Sequence, residues 1–209
     1  MTDEQKPDHA FARSLSNGGL GTTTRRVLDP CCGSRMFWFD RQNPDVVFGD
    51  KRTETHVLCD GRTLRIEPDM TLDFTDLPFE DGTFKLVVFD PPHLHTAGPK
   101  SWMAAKYGKL TGDWRGDLRE GFAECFRVLA SDGVLVFKWN ETQVKIREVL
   151  ELTDVQPLFG NTSGKKAGTH WYVFMVPNVK LRGARTMTDE QKPDHAFARS
   201  RSNAGLERR

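Results

Sequence analysis

The chain has 209 residues, 37% of them hydrophobic and 28% charged, which is enough apolar material for one core at the usual size of one domain. Thirty Lys and Arg against 29 Asp and Glu leave a formal net charge of +1, which excludes a histone-like or ribosomal-protein reading built on a global positive field. No apolar run approaches the roughly 20 residues needed to span a bilayer, and the polar start MTDEQKPDHA lacks a signal-peptide apolar region, so a soluble, cytoplasmic protein is expected. Four cysteines (Cys31, Cys32, Cys59, Cys125) are too few and too irregularly spaced for a disulfide framework. Adjacent Cys31 and Cys32 cannot easily share one tetrahedral zinc, so packed, reduced thiols and no metal site are expected.

The segment Met1 to Leu20 recurs as Met187 to Leu206, with Leu15 replaced by Arg201 and Gly18 by Ala204. Two copies flanking a unique middle do not make a stacked repeat fold. Their Asp, Lys, Ser, Asn and Gly content cannot repay the entropy of ordering, so residues 1–24 read as a polar, disordered tail and 179–209 as a second tail repeating the first. A duplicated gene start and a paired docking peptide are the two accounts of the repeat. Residues 27–180 carry 19 basic and 22 acidic side chains, so any grip on nucleic acid must come from a local patch. The domain itself is placed at 25–178.

In chain order, Val27-Leu28-Asp29 is a short apolar run ending in an acid, followed by a Pro-Cys-Cys-Gly-Ser turn and a short helix over Met36 to Phe39. Val46 to Asp50 repeats the strand-then-acid pattern. His56 to Cys59 and Thr63 to Ile66 flank Asp60-Gly61, a hairpin signal. Lys85 to Phe89 reads as a strand buried on both faces. Leu118, Phe122, Cys125, Phe126 and Leu129 recur at helical spacing, with Gly133 as the stop. Val134 to Trp139 is another buried strand, Glu141 to Leu152 a second helix, and Val155 to Phe159 with Trp171 to Val176 a closing strand pair. Strands alternating with helices predict an α/β fold, a mostly parallel sheet with helices on both faces and ligands beyond its carboxyl edge.

Asp29, Asp50 and Asp73 each follow a predicted strand end. Such acids suit a nucleoside cofactor, one accepting two ribose hydroxyls and another an adenine amine, while Gly33 lets the backbone pass close to the ligand. Each alone is equally an ordinary loop carboxylate or helix cap. Asp90-Pro91-Pro92-His93 follows the buried strand directly. Two prolines fix an extended backbone and leave carbonyls without competing donors, so the Asp90 carboxylate and a proline carbonyl can both accept from a planar amino group. The plain alternative is a Pro-Pro turn leaving a strand. Between His93 and Arg119, Lys100, Lys106, Lys109, Arg115 and Arg119 face Asp113 and Asp117, interleaved with Trp102, Tyr107 and Trp114. Aromatics in a basic groove suit a flipped or single-stranded base, although the rings can equally pack beneath the sheet. Lys165 and Lys166 are further phosphate candidates, and Asn140 either lines the pocket or caps the next helix.

The run Val27 to Ser34 resembles the D-P-x-x-G-S-G cofactor loop of class I S-adenosylmethionine-dependent methyltransferases of the amino-methylating, DNA-methylase type. Asp73 to Gly82 resembles the adenine-approaching segment, Asp90 to His93 the D-P-P-Y motif, and Glu124 to Leu129 the E-x-x-R-V-L helix of that superfamily; the whole is similar to short phage- and prophage-encoded methyltransferases. The resemblance spans roughly residues 25–177. It implies a Rossmann-like, seven-stranded sheet with an antiparallel closing strand, S-adenosyl-L-methionine as cofactor held by Asp29, Pro30, Cys31, Gly33, Ser34, Asp50, Asp73 and Phe74, and methyl transfer at Asp90, Pro91, Pro92 and His93. The substrate implied is adenine N6 or cytosine N4 of DNA, with RNA, a small molecule, a protein or a non-catalytic role as alternatives. Two positions depart from the pattern: His93 stands where the family has a stacking aromatic, and Arg35 where it has the last glycine of the loop.

Overall fold

The computed structural model describes residues 25–98, 101–163 and 168–175; both copies of the repeated tail lie outside them. Among the described residues there are nine strands: β1 (Val27–Asp29), β2 (Val46–Asp50), β3 (Glu54–Val57), β4 (Thr63–Ile66), β5 (Met70–Thr71), β6 (Phe84–Phe89), β7 (Leu129–Asn140), β8 (Phe159–Ser163) and β9 (Thr169–Met175). Three helices are described: α1 (Trp102–Tyr107), α2 (Trp114–Val128) and α3 (Ile146–Leu150). No helix among the described residues is long and apolar enough to cross a membrane.

Seven strands form one sheet in the order β5-β2-β1-β6-β7-β9-β8, and β3 and β4 pair as a separate hairpin. Neighbours from β5 to β7 are parallel, whereas β9 runs antiparallel to both β7 and β8. This seven-stranded, mostly parallel sheet with a single reversed strand near one edge is the Rossmann-like arrangement that the resemblance implied.

Burial explains the central strands. β2 is buried along its whole length, and Val87, Val88 and Phe89 fill the end of β6, as continuous apolar runs require in a parallel sheet covered on both faces. Along β7, buried Leu135, Phe137 and Trp139 alternate with partly exposed neighbours. α2 starts at Asp113, whose carboxylate accepts from the Gly116 N–H at 3.1 Å, and buries Leu118, Phe122, Cys125 and Val128 against the sheet. Phe122 meets Phe89 and Phe137 at ring distances of 5.5 and 4.9 Å. Gly121 is needed where α2 approaches the loop after β5: a Cβ there would stand 2.6 Å from the Phe74 ring.

Several boundaries differ from the sequence reading. Met36 to Phe39 forms turns rather than a helix, because Phe37 and Trp38 turn back onto the sheet edge, Phe37 against Trp171 and Trp38 against Phe48. α2 ends before Gly133: Leu129 already has extended dihedrals and begins β7 directly. The second helix shortens to α3, since residues 141–145 are occupied by a turn anchored on Asn140. Val155 to Leu158 lies outside any strand, and β8 starts at Phe159.

Candidate active site

The carboxyl ends of β1 and β6 lie side by side, with Val27 paired to Leu86 and Leu28 to Val87, while β2 and β7 flank them outside. Strand order therefore reverses here, where an open parallel sheet leaves a crevice. Two adjoining cavities of about 240 and 290 Å³ occupy it, together of the size of a small-molecule site. Cys31, Arg52, Asp90 and Tyr107 line both. Pro30, Asp50, Asp73, Phe74 and Pro92 wall the first; Gly33, Ser34, Phe37, Pro91, His93 and Lys138 wall the second.

The loop after β1 closes over the sheet through its own backbone. The Cys32 N–H donates to Gly49 O at 2.8 Å and the Gly33 N–H to Asp50 Oδ2 at 2.9 Å, with Gly33 at φ 50°. Arg35 also has positive φ, 55°, so it keeps the left-handed conformation that a glycine there would adopt easily. Such a residue costs about 1–3 kcal/mol and needs compensation. The Arg35 guanidinium supplies it, donating to Arg41 O at 2.7 Å, Glu67 O and Asp69 Oδ1 at 2.8 Å, and lying 4.1 Å over the Phe48 ring.

Asp29, expected against the cofactor, is fully buried and lines neither cavity. Its carboxylate accepts from Trp38 Nε1 at 2.7 Å and from the Cys31 N–H at 3.2 Å, bracing the loop from behind. Burial pushes its pKa up to about 7, opposed by Trp38 and reinforced by the Asp90 and Asp50 carboxylates. Burial, with Asp50 and Asp29 adding, also raises the Cys31 and Cys32 thiols, so neither is a thiolate nucleophile.

Asp50 does stand at the first cavity. Besides Gly33 it accepts from the Arg52 N–H at 2.9 Å and Arg52 Nε at 3.1 Å, and Arg52 Nη1 reaches across to Ala105 O at 3.1 Å. Arg52 therefore stands between the two cavities. Asp73 is bridged to exposed Lys51 at 2.6 Å and accepts from Thr75 Oγ1 at 2.9 Å; burial works against ionisation, but Lys51 and Thr75 hold the carboxyl below its usual range. The E-x-x-R-V-L segment fixes this wall. Arg127 Nε donates to Glu124 Oε1 at 2.7 Å while its Nη atoms donate to Phe79 O and Leu77 O at 2.7 and 2.9 Å, and Glu124 accepts from the Leu77 N–H at 2.8 Å.

At the end of β6, Asp90 accepts from Lys138 Nζ at 2.5 Å. Burial raises the Asp90 pKa and Lys138 opposes it. His93 is buried between Tyr107 and Trp139, with ring centroids at 5.4 and 6.3 Å; burial and then Lys138 depress its pKa to about 4. It is a neutral packing partner of Tyr107 rather than an exposed stacking ring. Gln143 pins the chain after the motif, accepting from the His95 and Thr96 N–H groups at 2.8 Å each.

Of the expected substrate residues, Tyr107 lines both cavities, Lys106 the second and Lys109 the first. Lys106 lies 5.0 Å over the Tyr107 ring and 6.0 Å from that of half-exposed Trp102. Trp114 lines neither cavity: it stacks on His95 and Arg115 and packs against the core. Asn140 also lines neither, nor does it cap α3; its Oδ1 accepts from Thr142 and its Nδ2 donates to Thr169 Oγ1 at 3.1 Å. Lys100, Lys165 and Lys166 lie outside the described residues.

Phe37, Arg52 and Lys138 are among the lining residues missed in the sequence. Only Lys138 carried a signal, a lone cation near the end of the otherwise apolar run Val134 to Trp139.

No protein-family model matches the chain, and no curated protein matches it. Among solved structures it is similar to a protein from Pyrococcus horikoshii OT3, at 16% identity and TM-score 0.46 over 72% of this chain and 81% of that one. A TehB-like SAM-dependent methyltransferase from Corynebacterium glutamicum is similar at 17% identity and TM-score 0.46, over 80% of this chain and 86% of that one. A SAM-dependent methyltransferase from Leishmania major is similar at 13% identity and TM-score 0.42, over 80% of this chain and 71% of that one.

Proposed function

We propose that the protein is a methyltransferase that moves a methyl group from S-adenosyl-L-methionine to an exocyclic amine, adenine N6 or cytosine N4, of nucleic acid, DNA in the first instance. The observation that carries this reading is the meeting of two cavities at Asp90, the first holding Asp50 and Asp73 from the strand ends and the second Lys106, Lys138 and aromatic rings.

The residues of the first cavity fit the cofactor. Asp50 at the end of β2, which holds Gly33 and Arg52, stands where ribose hydroxyls would compete for its carboxylate, and Asp73, Phe74 and Thr75 offer an acid and a ring edge toward adenine. Pro30 and Cys31 border the same space from the loop braced by Asp29. When bound, the cofactor supplies an electrophilic methyl group on a cationic sulfur.

Everything else falls to the chain. Asp90 Oδ2 is held by Lys138, and among the described residues no other donor is placed on the Asp90 carboxylate, so Oδ1 is left to accept an N–H of the target amine. That bond turns the nitrogen lone pair toward the first cavity, and orientation of this kind supplies most of the rate. The two prolines hold the Asp90 backbone extended. No general base is required beforehand, because the methylated amine sheds its proton after transfer, and Asp90 is adjacent to receive it. His93, neutral and buried under Tyr107, keeps that ring in place at both cavities. Lys106 gives the second cavity a positive rim for a phosphate backbone.

Incubation with methyl-labelled cofactor and unmodified DNA or RNA tests this. Label is expected in a polynucleotide with wild-type protein and is lost with Asp90→Ala; no incorporation, or incorporation indifferent to that substitution, overturns the reading.

A further inference from the structure

We infer that Lys138 is a specificity residue that reads the ring nitrogen next to the target amine, so that Asp90 and Lys138 together form a two-point reader of an amino-heterocycle. This rests on the methyl-transfer reading above and names the part of the base it selects.

The two side chains project from the ends of adjacent parallel strands, with Phe89 of β6 in register with Phe137 of β7. Their terminal atoms are 2.5 Å apart, and both border the second cavity beside Pro91 and His93. A carboxylate accepts only and an ammonium donates only. The pair therefore presents an acceptor and a donor side by side to whatever enters. Adenine and cytosine present the complement along their Watson–Crick edges, an amine that donates next to a ring nitrogen that accepts. On the same edge guanine sets a carbonyl beside a ring N–H, and the thymine edge has no amine. With the exocyclic position held at Asp90, either base would set a carbonyl against the carboxylate and a ring N–H against the ammonium, and that mismatch is the source of discrimination.

Lys138 has protons left for this task. One is directed at Asp90, while the faces of Phe37 and Trp171, 5.6 and 5.7 Å from Nζ, favour the cation without accepting its protons as a carbonyl would. The side chain is about a fifth exposed, enough to meet a ligand and too little to swing into bulk solvent.

The test crosses substrate atoms with protein atoms. Oligonucleotides carrying adenine or 1-deazaadenine, and cytosine or 3-deazacytosine, differ only in the ring acceptor beside an intact amine. With wild-type protein, kcat/KM on the methylated base should fall about 10- to 100-fold on removal of the ring nitrogen, the loss of one charge-assisted contact. With Lys138→Met, activity on the natural base should fall by a similar factor, and the deaza analogue should now be used equally well. Lys138→Arg should restore part of the discrimination. Equal use of both bases by wild-type protein, or discrimination that survives in Lys138→Met, overturns the inference while leaving methyl transfer standing. Failure of wild-type protein to methylate either natural base overturns the methyl-transfer reading itself. Should Lys138→Met not fold, Lys138→Gln, one bond shorter and with a neutral donor, is predicted to discriminate less than wild type, and undiminished discrimination contradicts the role.

Discussion

Asp90 and Lys138 form a partly buried ion pair, 2.5 Å between oxygen and nitrogen, that joins the carboxyl ends of β6 and β7 at the boundary of two cavities. Removing the cation leaves a carboxylate in a poorly solvated place. Lys138→Met should destabilise the fold by about 1–3 kcal/mol, less than for a fully buried pair because both side chains retain some exposure. The loss should grow with pH. Without Lys138, Asp90 has a folded-state pKa further above its unfolded value, and stability from such a group is present at low pH and lost as pH rises through the folded pKa. Urea midpoints of wild type and variant at pH 5 and pH 8 check the sign.

Asp29 makes a second pH-dependent contribution. Its pKa is pushed up to about 7, against an ordinary value of 3.8. The folded state therefore binds the proton more tightly than the unfolded chain, and stability should decline from about pH 4 to about pH 7 and then level off. In Asp29→Asn that component of the slope should vanish. Denaturation midpoints across this range, compared between the two proteins, provide the measurement.

Arg35 separates conformational strain from side-chain anchoring. Arg35→Ala keeps the left-handed strain and loses the contacts to Asp69, Arg41, Glu67 and Phe48, whereas Arg35→Gly loses the same contacts and relieves the strain. Both should be less stable than wild type, with the alanine variant worse than the glycine variant by about 1 kcal/mol. Thermal and urea unfolding of the three proteins decide this, and the reverse order would mean the φ of 55° costs nothing.

Gly121 tests the cofactor wall from behind. A Cβ on Gly121 would push the Phe74 ring toward the first cavity. Gly121→Ala should cost about 1–3 kcal/mol of stability through overpacking and weaken binding of a cofactor analogue by calorimetry. Unchanged affinity would remove Phe74 from the site.

Much of the fold was legible because β2, β6 and β7 are apolar runs that stop at acids or prolines, and α2 carries its cap and its periodicity in adjacent residues. The segment Met36 to Phe39 misled because its rings have long-range partners: Phe37 meets Trp171, and Trp38 is drawn to Asp29 and Phe48. Gly133 looked like a helix stop, yet the chain turned extended at Leu129 to enter the sheet beside β6. Within the site, Asp50, Asp73 and the Asp90 motif were readable from their places after strands. Lys138 and Arg52 were not, because their meaning lies in partners that only the strand order brings near: Asp90 lies 48 residues from Lys138, and Ala105 lies 53 from Arg52. Asp29 was legible as an acid after β1, but nothing local reveals that Trp38 claims its carboxylate.

The most direct test of the central claim, amine methylation at Asp90, is mass spectrometry of total DNA and RNA nucleosides from cells expressing the protein. N6-methyladenine or N4-methylcytosine is expected above the background of cells without it, with a return to that background for Asp90→Ala. Nucleosides with no added methyl group on an exocyclic amine, or the same modification in cells expressing Asp90→Ala, would contradict the claim.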